Sequence, residues 1–352
     1  MLKLEYSLRF LCPAFLGNAD QQGQWRTPPI KALLRQWWRV AYSADHGHRV
    51  DVDAMRAAER ALFGVAADKD GESRRSQIRV RLESWSRGTL TAWRPLDEVH
   101  HPEVDRAQGQ VGSDLYLGYG PLSFAQGRPT LKSGAAIQAD ESSVLRLGLP
   151  STLPNEESAR VSLALSLMNR YGTLGGRSRN GWGSFDLRPL NGSPAMVFPI
   201  GHLRAWKEAL NLDWPHAIGR DDRPLVWQSP PMQDWRAAMQ YLAKLKIDLR
   251  TSLPFPTNER APHAAPLERH WLAYPVTNHA TSAWSGDARL PNSLRFRLRC
   301  DFDDKSMLRA LVIHVPCKPP GAFKPKDQTL VTVWSKIHKF LDQRDDLSRI
   351  PA

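Results

Sequence analysis

The sequence predicts an α+β fold of two tandem ferredoxin-like domains, the first carrying a long insertion. Three observations point there. Strand-like and helix-like hydrophobic periods follow one another up to residue 190 in the order strand, helix, strand, strand, helix, strand, which is the order of that fold. A looser version of the same series returns after about residue 200. At 352 residues and 41% hydrophobic composition, the chain can supply a core for each half. The expected domains are residues 1–190, with an insertion at about 86–143, and residues 200–352.

The first strand is marked by alternating Leu2, Leu4, Tyr6, Leu8 and Phe10. Thr27 is the candidate N-cap of the first helix, with Pro28 and Pro29 behind it, and Ile30, Leu33, Leu34, Trp37, Trp38 and Ala41 form its apolar face. Trp37 and Trp38 fall on that face and are expected in the core. A shorter helix runs over Asp51–Phe63 and closes at Gly64. In Gln77–Glu83, Ile78, Val80 and Leu82 face a core while Arg79 and Arg81 face outward. Residues 86–143 are irregular and rich in Gly, Pro and His. Strands over Ser143–Leu149 and Ser184–Leu190 flank a helix at about 157–171. The stretch Asn191–Pro199 reads as the domain boundary. Beyond it come a helix over Gln233–Arg250, strands over Ser293–Cys300 and Leu311–Val315, and a helix over Leu330–Leu341, with the first strand of this half unplaced.

Charge narrows the partner. The formal charge is +12, and the excess lies in both halves rather than in a tail, so an anionic partner is expected, with nucleic acid ahead of a membrane surface. Cys12, Cys300 and Cys317 form no C-x-x-C spacing and no even-numbered framework, which fits a reducing compartment and argues against a structural zinc site. The start alternates like a strand instead of carrying a signal-peptide block, and no run approaches membrane-spanning length. The expected location is the cytoplasm, and no cofactor is expected.

The most informative stretch is Gly172–Gly183, GTLGGRSRNGWG, which puts five glycines, two arginines and a tryptophan into twelve residues directly after a helix. One glycine is enough to close a helix. Glycines also let backbone N–H groups converge on an anion and let a phosphate chain approach closely. Arg177 and Arg179 would add charge, and Trp182 would either pack under the loop or stack on a base. A turn that merely redirects the chain is the competing explanation. The loop lacks G-K-[ST] and follows a helix rather than a strand, which argues against a mononucleotide cradle. In the first helix Lys31, Arg35 and Arg39 recur every four residues as a basic stripe beside the tryptophans, which is either a solvated face or an RNA contact.

A basic, glycine-rich loop after the last helix of a ferredoxin-like domain resembles the signature loop of the RAMP superfamily of CRISPR RNA-binding proteins. Within that superfamily, Arg26–Arg39 (RTPPIKALLRQWWR) is similar to the T-P-x-I-[KR]-x-x-[LI]-R-x-W-W-R stretch of the first-numbered RAMP subunit of type III-B Cmr complexes. So are Leu62-Phe63-Gly64 with Ser73 and the strand at 78–82, and His270–Pro275 (HWLAYP). The similarity covers most of the chain, with residues 86–143 and 200–265 carrying little of it.

That resemblance implies a non-catalytic subunit that holds the guide RNA 3′ region and single-stranded target RNA in antiviral defence, beside other RAMP subunits, where base pairing reads sequence and the protein holds backbones. The residues expected to bind RNA are Arg26, Lys31, Arg35, Arg39, Gly175, Gly176, Arg177, Ser178, Arg179, Asn180, Gly181 and Trp182. Two other classes stay open. One is a metal-independent guide-processing endoribonuclease with His46 or His48 as general acid/base. The other is an assembly subunit that binds protein partners only. His46, His48, His100 and His101 lack the companions of a metal site, so no metal is expected. Of Asp97, Asp105 and Asp114 in the insertion, where backbone RAMP subunits place a cleaving aspartate, none is singled out by its neighbours.

Overall fold

The computed structural model of the chain describes residues 1–66, 73–196, 202–256 and 261–350. The predicted boundary segment Asn191–Pro199 lies partly outside the described residues.

Alternation builds β1 (Leu2–Phe10), in which Leu4, Tyr6, Leu8 and Phe10 are buried. Helix α1 (Thr27–Asp45) follows. Its N-cap is Arg26 rather than Thr27, because the prolines that preset helical φ already sit inside the first turn. Helix α2 (Val52–Phe63) is capped by Asp51, whose carboxylate accepts from the Asp53 and Ala54 amides, and ends at Gly64 with φ +76°. Strand β2 (Arg79–Leu82) keeps Arg79 and Arg81 exposed, as its period requires.

The insertion follows as small pieces: β3 (Glu98–His100), β4 (Gln110–Gly112), α3 (Ser113–Gly118) and a hairpin of β5 (Leu122–Ala125) and β6 (Arg128–Leu131). Gln126 and Gly127 turn that hairpin, both at positive φ, as a two-residue turn matched to strand twist demands. The half closes with β7 (Ser142–Leu149), α4 (Asn155–Tyr171) and β8 (Phe185–Leu190).

Its sheet has the order β2-β7-β1-β8, all neighbours antiparallel, with Tyr6 opposite Leu145 on one side and Pro189 on the other. In strand numbers of the β-α-β-β-α-β unit this is 2-3-1-4, the ferredoxin-like arrangement. Helices α1 and α4 cover one face, where Trp37 and Trp38 are fully buried.

The second half opens with β9 (Leu203–Ala205), the single turn α5 (Trp206–Ala209) and β10 (Ile218–Arg220), a parallel pair outside the main sheet. The strand that the sequence left unplaced is β11 (Val226–Gln228). It is followed by α6 (Trp235–Thr251), β12 (Leu294–Cys300), β13 (Leu308–His314), α7 (Asp327–Asp342) and β14 (Ser348–Arg349). The order β12-β13-β11-β14 is again 2-3-1-4 and antiparallel. The chain is therefore α+β with two tandem ferredoxin-like units and a long insertion in the first.

The two units share their cores. Ile218, Val226, Leu311, Ile313, Val315 and Ile350 complete the hydrophobic cluster built on β1 and α1. Cys12 and Trp182 belong in return to the cluster around α6 and α7. Strand β12 lies at this seam. Its Leu294, Phe296 and Leu298 enter the second core, while Arg297, 2% exposed, donates to the carbonyls of Asn169 (2.5 Å) and Phe185 (2.8 Å) in the first unit. A strand whose arginine face would ordinarily meet water thus meets protein. Among the described residues no helix is long and apolar enough to cross a membrane.

Candidate nucleic-acid interface

After α4 the chain folds into a clasp. Thr173 bridges Ser184, and the Leu174 amide donates to the Gly183 carbonyl at 2.9 Å. Two glycines show why the loop needs so many. Gly183 has φ +68°, and a Cβ there would lie 1.8 Å from the Leu174 carbonyl oxygen; Gly175 has φ +96°, and a Cβ would meet the Phe15 oxygen at 2.7 Å. Close backbone approach accounts for them.

The expected anion nest is corrected in part. The amides of Gly176, Asn180, Gly181 and Gly183 donate to the carbonyls of Phe15, Arg177, Ser178 and Pro13. Trp182 is 0% exposed, with its ring centroid 5.4 Å from Phe15, 5.6 Å from Trp93 and 6.1 Å from Trp235. It is a core pillar under the loop, and a base has no access to it.

The loop's charges form a group that the sequence did not reveal. Arg177, at φ +55°, donates from Nε to the Tyr119 carbonyl at 2.5 Å, and the Tyr119 ring is 66% exposed. Asn180 donates to the Leu117 carbonyl at 2.7 Å and accepts from Lys246 Nζ at 2.9 Å, so it ties α3 of the insertion to α6 of the second unit. Lys246 also lies over the Tyr116 ring, 5.4 Å from its centroid. Burial, and then the charges of Arg250 and Arg177, pull the lysine down to about 7. Arg250 stands one turn further along the same helix face. Arg179 is exposed, and its carbonyl accepts from the Phe296 amide at 3.0 Å. Phe124 in β5 is a second exposed aromatic ring of the insertion, at 64%.

Among the described residues these cations have no carboxylate partner, and cations of that kind together with exposed aromatic rings suit single-stranded nucleic acid, whose phosphates take the charge and whose bases take the rings.

The α1 residues form a separate group. Arg26 donates to the Gly17 carbonyl at 2.6 Å, and Lys31 to the Phe63 carbonyl at 2.8 Å. Arg35 and Arg39 both bind the carboxylate of Glu59, which is 3% exposed. One buried carboxylate against two guanidiniums leaves the stripe a net positive charge. Lys31 and Arg35 line a cleft of about 380 Å³ with Arg74 and Ser76, facing α2 rather than the loop.

Of the remaining candidates, His46 stacks on Tyr42 with ring centroids 4.0 Å apart, and His48 hydrogen-bonds Ser43 Oγ at 3.1 Å and is lowered by burial and then by Arg204. Asp114 is fully buried and accepts from Trp93 Nε1 at 2.7 Å and the Leu96 amide at 3.2 Å, so it organises the insertion instead of facing a substrate. Asp97 and Asp105 are exposed. The described residues hold no group of three His, Cys, Asp or Glu able to bind a metal. Lys246 and Arg250 were readable as basic residues four apart on a predicted helix, but nothing local said that this helix lies against the glycine loop.

Among solved structures, the chain is similar to the apo form of Cmr1 from Pyrococcus furiosus, with 14% identity, a TM-score of 0.47, and 99% of this chain and 98% of that one covered. It is also similar to a chain of a type IV-B CRISPR complex, with 13% identity, a TM-score of 0.33, and 56% and 94% covered. No curated protein sequence matches it. The family model of the RAMP superfamily matches residues 7–186, from within β1 through the glycine clasp and into β8. The chain belongs to the RAMP superfamily.

Proposed function

We propose that this protein is a non-catalytic RNA-binding subunit of a CRISPR ribonucleoprotein of type III-B Cmr kind, holding the guide RNA 3′ region and single-stranded target RNA in antiviral defence beside other RAMP subunits. The observation that carries the reading is the cluster of Arg177, Lys246 and Arg250 around the glycine clasp of a RAMP domain, with the exposed Tyr119 held at its carbonyl by Arg177. Such a surface binds backbones and stacks bases without reading sequence, which leaves recognition to guide pairing.

The test is a titration with single-stranded RNAs of unrelated sequence at several salt concentrations. Affinity should vary little with sequence and fall with salt at about −0.7 in log–log slope per neutralised phosphate. A flat salt dependence overturns the reading. The endoribonuclease alternative is met by incubating the protein with repeat-containing RNA in a chelator. Cleavage abolished by His46→Ala or His48→Ala would replace the proposal. Tight binding to partner subunits with no affinity for RNA would favour the assembly role.

A further inference from the structure

On the other side of the loop, the parallel bridge between Asn180 and Phe296 sets Arg179 next to Arg295 of β12. Arg295 is 7% exposed. The Gln36 carboxamide faces it, and with that amide turned so that its oxygen points at the guanidinium the oxygen accepts from both terminal nitrogens, at 2.6 Å from Nη1; the guanidinium carbon lies 5.5 Å from the Trp37 ring centroid. These neighbours are neutral. Among the described residues no carboxylate pairs with Arg295 or Arg179, and Asp213 bears only on the thiol of Cys317 beside them. Arg297, two residues on, shows how the fold otherwise settles a buried guanidinium here, by giving it two backbone carbonyls of the first unit.

A buried cation facing a second cation costs stability unless an anion joins them. We propose that Arg179 and Arg295 form a phosphate site at the seam of the two units, and that its occupant is a phosphodiester group of single-stranded RNA. The identity of the occupant rests on the RNA reading above; the existence of an anion site does not. Arg179 meets the phosphate from the solvent side, and Arg295 backs it with a charge that the fold leaves unneutralised. Burial and the nearness of Arg179 hold Arg295 down to about 10, a direction that a bound phosphate would reverse.

The experiment has two arms on the full-length protein. In the first, thermal unfolding is followed in sodium phosphate and in sodium chloride of equal ionic strength. The wild type should unfold at a higher temperature in phosphate, and Arg295→Met and Arg179→Met should lose that difference. Arg295→Met should be as stable as wild type or more so in chloride, since it removes a buried charge. The second arm measures affinity for a single-stranded RNA of about twenty nucleotides, with each variant expected to bind roughly tenfold more weakly. A phosphate effect that is absent in the wild type, or equal in all three proteins, overturns the site. Should Arg295→Met fail to fold, Arg179→Met, changed at an exposed position, decides alone. An arginine-dependent phosphate effect in a protein that binds no RNA would keep the site and overturn the RNA reading.

Discussion

The Lys246 ammonium donates to the Asn180 side-chain oxygen at 2.9 Å, so a helix of the second unit is fastened to the glycine clasp of the first through a cation held near neutrality. Because burial, Arg250 and Arg177 lower it to about 7, the free protein carries a neutral amine above that pH, while the unfolded chain keeps its ammonium to about 10.4. The folded state is therefore penalised at low pH, and the penalty is relieved as pH rises from 7 towards 10.

A phosphate at the loop favours the ammonium, so RNA binding should take up a proton above pH 7. Affinity should fall by up to about tenfold per pH unit between 7 and 9 in the wild type, and Lys246→Met should bind more weakly at pH 6.5 and respond less to pH. Fluorescence anisotropy across that range checks it. Equal slopes in the two proteins would remove Lys246 from the interface.

The α1 stripe gives a second test, in which stability and binding separate. Changing Arg35 and Arg39 together to Ala strands the buried Glu59 carboxylate. The expected loss is roughly 2–3 kcal/mol, less than for a fully buried pair because both guanidiniums reach solvent. Adding Glu59→Gln to that double variant should recover most of the loss. Trp38→Ala, at a fully buried ring, should cost about 3–5 kcal/mol. Denaturant titrations of the four proteins decide whether the stripe is first a brace for α2.

His314 and His338 lie 2.9 Å apart in the second core, and burial holds His338 down at about 4 and His314 well below the usual imidazole range. His216 is lowered by burial to about 4 as well. In the unfolded chain each would charge near 6.5. Between pH 6.5 and 4 the unfolded state thus binds more protons, and stability that is complete above 6.5 is lost as pH falls. The unfolding temperature should drop steeply over that window, and His338→Gln should flatten the drop while lowering stability at pH 7.5.

Two glycines of the clasp should respond differently. Gly183→Ala places a Cβ against a backbone carbonyl at positive φ and should prevent folding of the loop; Gly176→Ala presses on the Pro121 ring at 3.0 Å and meets Phe15 at ordinary contact distance, 3.5 Å, and should be milder. Near-ultraviolet circular dichroism of the buried Trp182 reports the difference. Arg177→Ala should leave that signal intact and weaken RNA binding.

Local periodicity made the large elements legible. β1, α1, β2, α4, α6, β12 and α7 were visible because their apolar residues repeat over enough residues to fix a period. β11 escaped because three residues carry no period, and β14 has two. The clasp's composition was legible, but its glycines resemble an anion cradle in sequence while the amides of Gly176, Asn180, Gly181 and Gly183 serve the protein's own carbonyls. Lys246, Arg250 and Arg295 lay hidden for a tertiary reason: each comes from the second unit and gains its neighbours only when the seam closes.

That seam governs how the protein can be taken apart. Since Val226, Leu311, Ile313 and Ile350 pack among the side chains of β1 and α1, and Trp182 is buried against α6, a chain cut between Gly192 and Met196 would give two fragments, each with a bare greasy wound shaped for the other. Produced singly they should precipitate or be degraded. Produced together they should knit into one particle, so that break offers a reconstitution assay in which recovery of the whole, rather than of either fragment, is the thing observed.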